Sequence, residues 1–156
     1  MKEIGGYLEL ELRRGTGFPN DDGLLVASCR NALELVLRSL GPVRRLWVPH
    51  FTCSTVLDPV KKLGIPFSRY RIDRRLEVEG LPLLKEGEFL IYTNYFGIKD
   101  AFVDGLAEQY GGKLIVDNAQ AFYHRPSSPV CSYVYSPRKF VGIPDGELRS
   151  SLEKIL

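Results

Sequence analysis

The stretch KLIVDNAQ, Lys113 to Gln120, sets three consecutive aliphatic residues ahead of an aspartate. A short unbroken apolar run of this kind reads as a strand buried on both faces, as in parallel sheets. Just before it, DAFVDGLAEQYGG places Phe102, Val103, Leu106 and Tyr110 on one face of a helix that glycines end. The same alternation extends in both directions. GLLVAS reads as a brief strand, and NALELVLRSL as a helix with Leu33, Val36, Leu37 and Leu40 on one face, stopped by Gly41-Pro42. RRLWVPHF is the next strand. STVLDPVKKLG is a short helix, since Pro59 fits only near a helix start. IPFSRYRI, EFLIYTNYF and CSYVYS complete the set of strands. Strands alternating with helices predict an α/β domain, a three-layer sandwich on a mainly parallel sheet.

The 156 residues suit one domain, expected to span 1–156. With 44% apolar and 26% charged residues, the composition is that of a globular chain rather than a disordered one. A formal charge of +2 is too weak to draw nucleic acid or a membrane surface. The segment MKEIGGYLELELRRG has no apolar signal core, and no apolar run approaches membrane-spanning length, so the cytoplasm is the expected location. Cys29, Cys53 and Cys131 form no CxxC pair, and reduced, mostly buried thiols are expected. His50 and His124 lie far apart without ligand spacing, which argues against a zinc site.

In open parallel sheets, ligands sit outside the carboxyl ends of the strands. That rule collects Ser28, Asn94, Asp117 and Ser136 to Lys139 on one rim. Each has an ordinary reading as well. Asp117 can accept from a backbone N–H in the next turn. Ser28 can cap the helix that follows, or add a phosphate site on the same N–H groups with help from Arg30. Lys139 is a surface cation on base rates, yet a lysine beside a cleft can act as a Schiff-base amine. No GxGxxG follows the first strand, and neither GxxxxGK[ST] nor GxSxG occurs.

Five stretches in this order resemble the DegT/StrS-like sugar aminotransferases, fold type I enzymes that use pyridoxal 5'-phosphate (PLP). LIVDNAQAFY matches the pattern of an apolar strand, Asp, two residues, then Gln, and supplies Asp117 and Gln120. YVYSPRKFVGIPDG puts Lys139 at the place of the family lysine. Ser28-Cys29-Arg30-Asn31-Ala32-Leu33 stands at the phosphate motif, while WVPHFTCSTV and YTNYFG look like the family's strand end and turn.

The resemblance implies a role for each position. Asp117 would hold the proton on the PLP ring nitrogen, and Gln120 would approach the ring's oxygen substituent. Lys139 would be the attachment amine and proton shuttle. The helix start at Ser28, Cys29 and Arg30 would anchor the phosphate. Cys53 stands where the family often has an aromatic residue stacking on the ring. Val134 takes the place of a phosphate-binding serine, with Ser136 nearby, and Arg30 replaces a small hydroxyl residue. The implied reaction moves an amino group from glutamate to a nucleotide-linked keto sugar. The implied assembly is a homodimer, or a complex with a partner chain that supplies the missing half. Family members have roughly twice this length, so the chain is expected to be a truncated large domain without the C-terminal small domain. Its final GELRSSLEKIL is expected to form a short amphipathic helix beside an open sheet edge. The alternative is a remnant or interaction domain that keeps the fold without turnover. In a third reading, of an ordinary α/β binding domain, Asp117 and Lys139 are structural.

Overall fold

The structure, a computed structural model, describes residues 23–80, 83–125 and 127–141, together with the strand backbone at 147–150. Among the described residues, eight strands form one sheet: β1 (Leu24–Val26), β2 (Arg45–Pro49), β3 (Phe67–Ile72), β4 (Val78–Glu79), β5 (Glu88–Thr93), β6 (Leu114–Asn118), β7 (Ser132–Tyr135) and β8 (Glu147–Ser150). The α-helices described among them are α1 (Cys29–Ser39), α2 (Leu57–Lys62) and α3 (Asp100–Tyr110). The spatial order is β1-β8-β7-β6-β5-β2-β3-β4. The central run from β7 to β3 is parallel, whereas β8 is antiparallel to both β7 and β1. Two antiparallel steps return β1 to the direction of the central strands. The carboxyl ends of β1, β2, β5, β6 and β7 therefore share one rim, as expected.

Helices cover both faces of the sheet, giving the predicted three layers. On one face, Ala32, Leu33, Val36 and Leu37 of α1 pack with Leu57 and Val60 of α2 against Leu46, Val48, Ile91, Ile115 and Val134. On the other, Val103, Leu106 and Ala107 of α3 pack against Leu90, Tyr92, Leu114, Val116, Tyr133 and Tyr135. The apolar i, i+3, i+4 spacing of α1 and the unbroken runs of β5 and β6 are the sequence patterns these layers require. Leu46 is fully buried between strand neighbours and α1. Leu46→Ala should lower the unfolding free energy by about 3 kcal/mol, read as a lower urea midpoint at unchanged slope.

Pro59 sits in the first turn of α2, where its missing N–H costs nothing. One expectation fails. Glu147–Ser150 is a strand that fills the gap between β7 and β1, not the start of a helix. Two unsatisfied strand edges offer ladder hydrogen bonds on both sides, and these outweigh a local helical pattern over four residues. The edge beside β7 is thus covered rather than open, and residues 151–156 lie outside the described residues. Residues 142–146, the end of the stretch quoted for Lys139, likewise lie outside the described residues.

Candidate functional site

The site is built where β2, β5, β6 and β7 end. Asp117 is the fourth residue of β6, in register with Thr93 of β5 on one side and Val134 of β7 on the other. Its Oδ1 accepts from the Ala119 N–H at 3.0 Å, the ordinary turn contact, and its carboxylate also lines a cleft. That cleft, of about 290 Å³, is lined by Phe51, Thr52 and Cys53 after β2, Thr93, Tyr95 and Phe96 around the end of β5, Asp117, Ala119 and Gln120 around the end of β6, and Lys139 after β7. Lys139 ends a single 3-10 turn, Pro137–Lys139, that Ser136 begins. The lysine is exposed, and its amine makes no hydrogen bond or ion pair among the described residues. Lys99 and Lys62 differ, with Nζ on Glu77 at 2.6 Å and on Glu34 at 2.8 Å.

Two tight turns shape the cleft wall. The Gln120 side-chain carbonyl accepts from the Phe96 N–H at 2.9 Å. Phe96 holds a left-handed backbone, φ 55°, which a bulky residue adopts only when its surroundings enforce it. Gly97 beside it, φ 67°, has no room for a side chain: a Cβ there would lie 2.9 Å from the Gln120 carbonyl oxygen. Tyr95 stacks on Phe51, ring centroids 5.5 Å apart, and donates its hydroxyl to the Phe51 carbonyl at 2.5 Å. Burial pushes the Tyr95 phenol well above its ordinary range, so it remains a donor there.

Cys53 is exposed at the cleft wall, against the expectation of mostly buried thiols, because it lies in the loop between β2 and the turn at Ser54. Its Sγ lies 3.1 Å from the Thr55 hydroxyl. The Thr55 hydrogen bonds, and secondarily the Lys139 charge, hold the Cys53 thiol below the usual thiol range. Iodoacetamide should therefore alkylate Cys53 at lower pH than a free thiol, and Thr55→Val should move the pH midpoint of alkylation upward.

Asp117, Gln120, Cys53 and Lys139 thus share one cleft. Cys29 and Arg30 line a narrow pocket next to it, with Thr55, Val134 and Asp117 as further walls. Ser28 caps α1, accepting from the Asn31 N–H at 3.2 Å, and lines a separate outer depression with Arg30 and Asp58. Arg30 is paired with Asp58 at 3.3 Å. Ser136 is buried and lines none of these spaces. Asn94, also expected on the rim, is fully buried and donates to Asp100 at 2.7 Å. Phe51, Thr52, Thr93, Tyr95, Phe96 and Ala119 were not singled out from the sequence. Each lies within three residues of a strand's carboxyl end, so the rim rule held the signal.

The arrangement has solved counterparts. Over 85% of the chain it superposes on 3-amino-5-hydroxybenzoic acid synthase with a TM-score of 0.66 and 17% identity, and over 84% on DesV from S. venezuelae with 0.65 and 20%. Over 85% it superposes on PseC from Helicobacter pylori, an aminotransferase involved in the biosynthesis of pseudoaminic acid, with 0.65 and 14%. The fold is the one that these solved chains share. The chain covers 39%, 40% and 40% of the length of these three chains. No protein-family model matches the sequence, and no curated protein sequence matches it. Among the described residues, no group of three or more His, Cys, Asp or Glu side chains could hold a metal ion, and no helix is long and apolar enough to cross a membrane.

Proposed function

We propose that the cleft binds PLP and that the chain belongs to an amino-group transferase of the DegT/StrS kind. One observation carries this reading. A carboxylate from β6, an amide from the next turn and an otherwise unengaged amine after β7 converge on one cleft of an aminotransferase-type sheet. The residues present fit the group. About 290 Å³ accommodates a small planar cofactor, and the walls combine aromatic rings with a few convergent polar groups.

When bound, PLP supplies the aldehyde to which amines attach and the ring that accepts an electron pair. Lys139 Nζ would hold the cofactor and would move a proton at the substrate carbon. The Asp117 carboxylate holds the proton on the ring nitrogen. Gln120, already tied to the Phe96 amide by its oxygen, keeps its NH₂ group for the ring's oxygen substituent. Cys53 takes the stacking position beside the ring, with Phe51 and Tyr95 adding apolar wall. The start of α1 at Ser28, Cys29 and Arg30 holds the phosphate, with Ser136 supporting the turn before Lys139. The substrates are glutamate and a nucleotide-linked keto sugar, and a second copy or partner chain completes the walls in the cytoplasm.

A second reading is a PLP-fold domain that holds the cofactor without turnover. The Asp58 carboxylate on Arg30, at 3.3 Å, favours it by competing with a phosphate for that guanidinium. Loading the chain with PLP and adding glutamate separates the two. Release of 2-oxoglutarate, one per cofactor, is expected of the transferase. A retained visible band with no 2-oxoglutarate identifies the binding-only domain, and no band at all removes both.

A further inference from the structure

We propose that His124 is a positioning residue that clamps together the two turns carrying Phe96 and Gln120. His124 follows the turn after β6 and is 5% exposed. It lies six residues beyond Asn118, itself fully buried and the last residue of β6. The Asn118 amide nitrogen and His124 Nδ1 are 3.0 Å apart. With the amide donating, Nδ1 is the acceptor and the ring hydrogen sits on Nε2. Nε2 lies 3.9 Å from Oδ1 of Asp100, the first residue of α3, and a carboxylate there favours an N–H facing it. The same Asp100 Oδ1 accepts from Asn94, whose backbone N–H bonds the Asp117 carbonyl at 3.0 Å and whose side-chain oxygen accepts from the Lys99 N–H at 3.2 Å. His124 therefore brackets the turn 119–123 through Asn118 and faces, at 3.9 Å, the Asp100 carboxylate that brackets the turn 95–99 through Asn94.

The two cleft turns lie inside those brackets, Phe96 between Asn94 and Asp100 and Gln120 between Asn118 and His124. They also touch each other directly, through the Phe96 N–H to Gln120 bond and the close approach of Gly97 to the Gln120 carbonyl. Within the Phe96 turn, the Gly97 N–H reaches the Asn94 carbonyl at 3.4 Å and the Ile98 N–H the Tyr95 carbonyl at 3.1 Å, while the bond across to the second turn rests on an exposed glutamine. Buried Asn118 Oδ1 and His124 Nε2 have no hydrogen-bond partner among the described residues.

The test uses the whole chain and two independent readouts. Amide hydrogen exchange followed by NMR reports the clamp, and PLP titration reports its consequence. The second arm rests on the proposed cofactor and the first does not. In His124→Leu, exchange at the Phe96 and Ala119 amides should accelerate about tenfold while core amides of β2 and β5 hold their protection. PLP should bind about tenfold more weakly. His124→Asn, whose side-chain oxygen replaces Nδ1 as acceptor from Asn118, should recover most of both losses, which a volume effect alone would not. Wild-type exchange and wild-type PLP affinity in folded His124→Leu would overturn the proposal. Loss of protection throughout the chain that His124→Asn fails to recover would also overturn it, by making the residue structural. If the wild-type chain fails to bind PLP while exchange follows the expected pattern, the clamp stands and the cofactor reading falls.

Discussion

Lys139→Ala is expected to abolish the visible absorption band that forms when PLP is added to the protein. The covalent bond to the cofactor needs an uncharged amine at the cleft, and the other lysines offer poor substitutes. Lys99 and Lys62 are held in ion pairs at 2.6 and 2.8 Å, and Lys113 Nζ lies 3.3 Å from the carbonyls of Leu84 and Lys85. Lys139 alone among the lysines lines the cleft, and its amine has no such engagement among the described residues. Because Lys139 is exposed in a single turn, its truncation should leave the fold intact, with a change in unfolding free energy within about 0.5 kcal/mol. Residual noncovalent binding would appear as fluorescence quenching without the visible band. An unchanged band in Lys139→Ala would place the attachment elsewhere.

Asp117→Asn should bring the second largest effect. The amide keeps an oxygen able to accept from the Ala119 N–H, so the turn contact at 3.0 Å survives the change. What disappears is the negative charge that, in the proposed function, would face the ring nitrogen. A charge-assisted hydrogen bond in a partly buried site contributes about 1.5 to 3 kcal/mol. Its loss should weaken PLP binding on the order of tenfold to a hundredfold. Release of 2-oxoglutarate from glutamate should fall further, since a neutral ring nitrogen no longer makes the ring an effective acceptor of electrons. Equilibrium dialysis and the glutamate assay read the two effects separately. Equal PLP affinity in the variant and the wild type would show that Asp117 serves only its turn.

Much of the fold can be read from the chain because its signals are local. The i, i+3, i+4 spacing of Leu33, Val36 and Leu37 describes one buried stripe, and the structure buries that stripe. The unbroken LIV of β6 needs two covered faces, and α1 and α3 lie on opposite sides of it. The strand at Glu147–Ser150 is not local in this sense. Its pairing depends on the edges of β7 and β1, the latter more than a hundred residues away, so four residues taken alone read as a helix. The site divides in the same way. Asp117, Gln120 and Lys139 follow strand ends and can be placed on the rim from sequence. Phe96 and Gly97 matter through a left-handed turn that presses on Gln120, and turn geometry of that kind has no periodicity to betray it. The Arg30–Asp58 pair joins residues 28 positions apart, a contact that no local pattern signals.

The most direct test of the central claim is chemical mapping on the wild-type chain. PLP is added, the mixture is reduced with borohydride, and the protein is digested and sequenced by mass spectrometry. A single pyridoxyl tag on the peptide containing Lys139 is the predicted result, at one per chain and suppressed by prior addition of a competing amine. A tag spread over several surface lysines, or none, would contradict it.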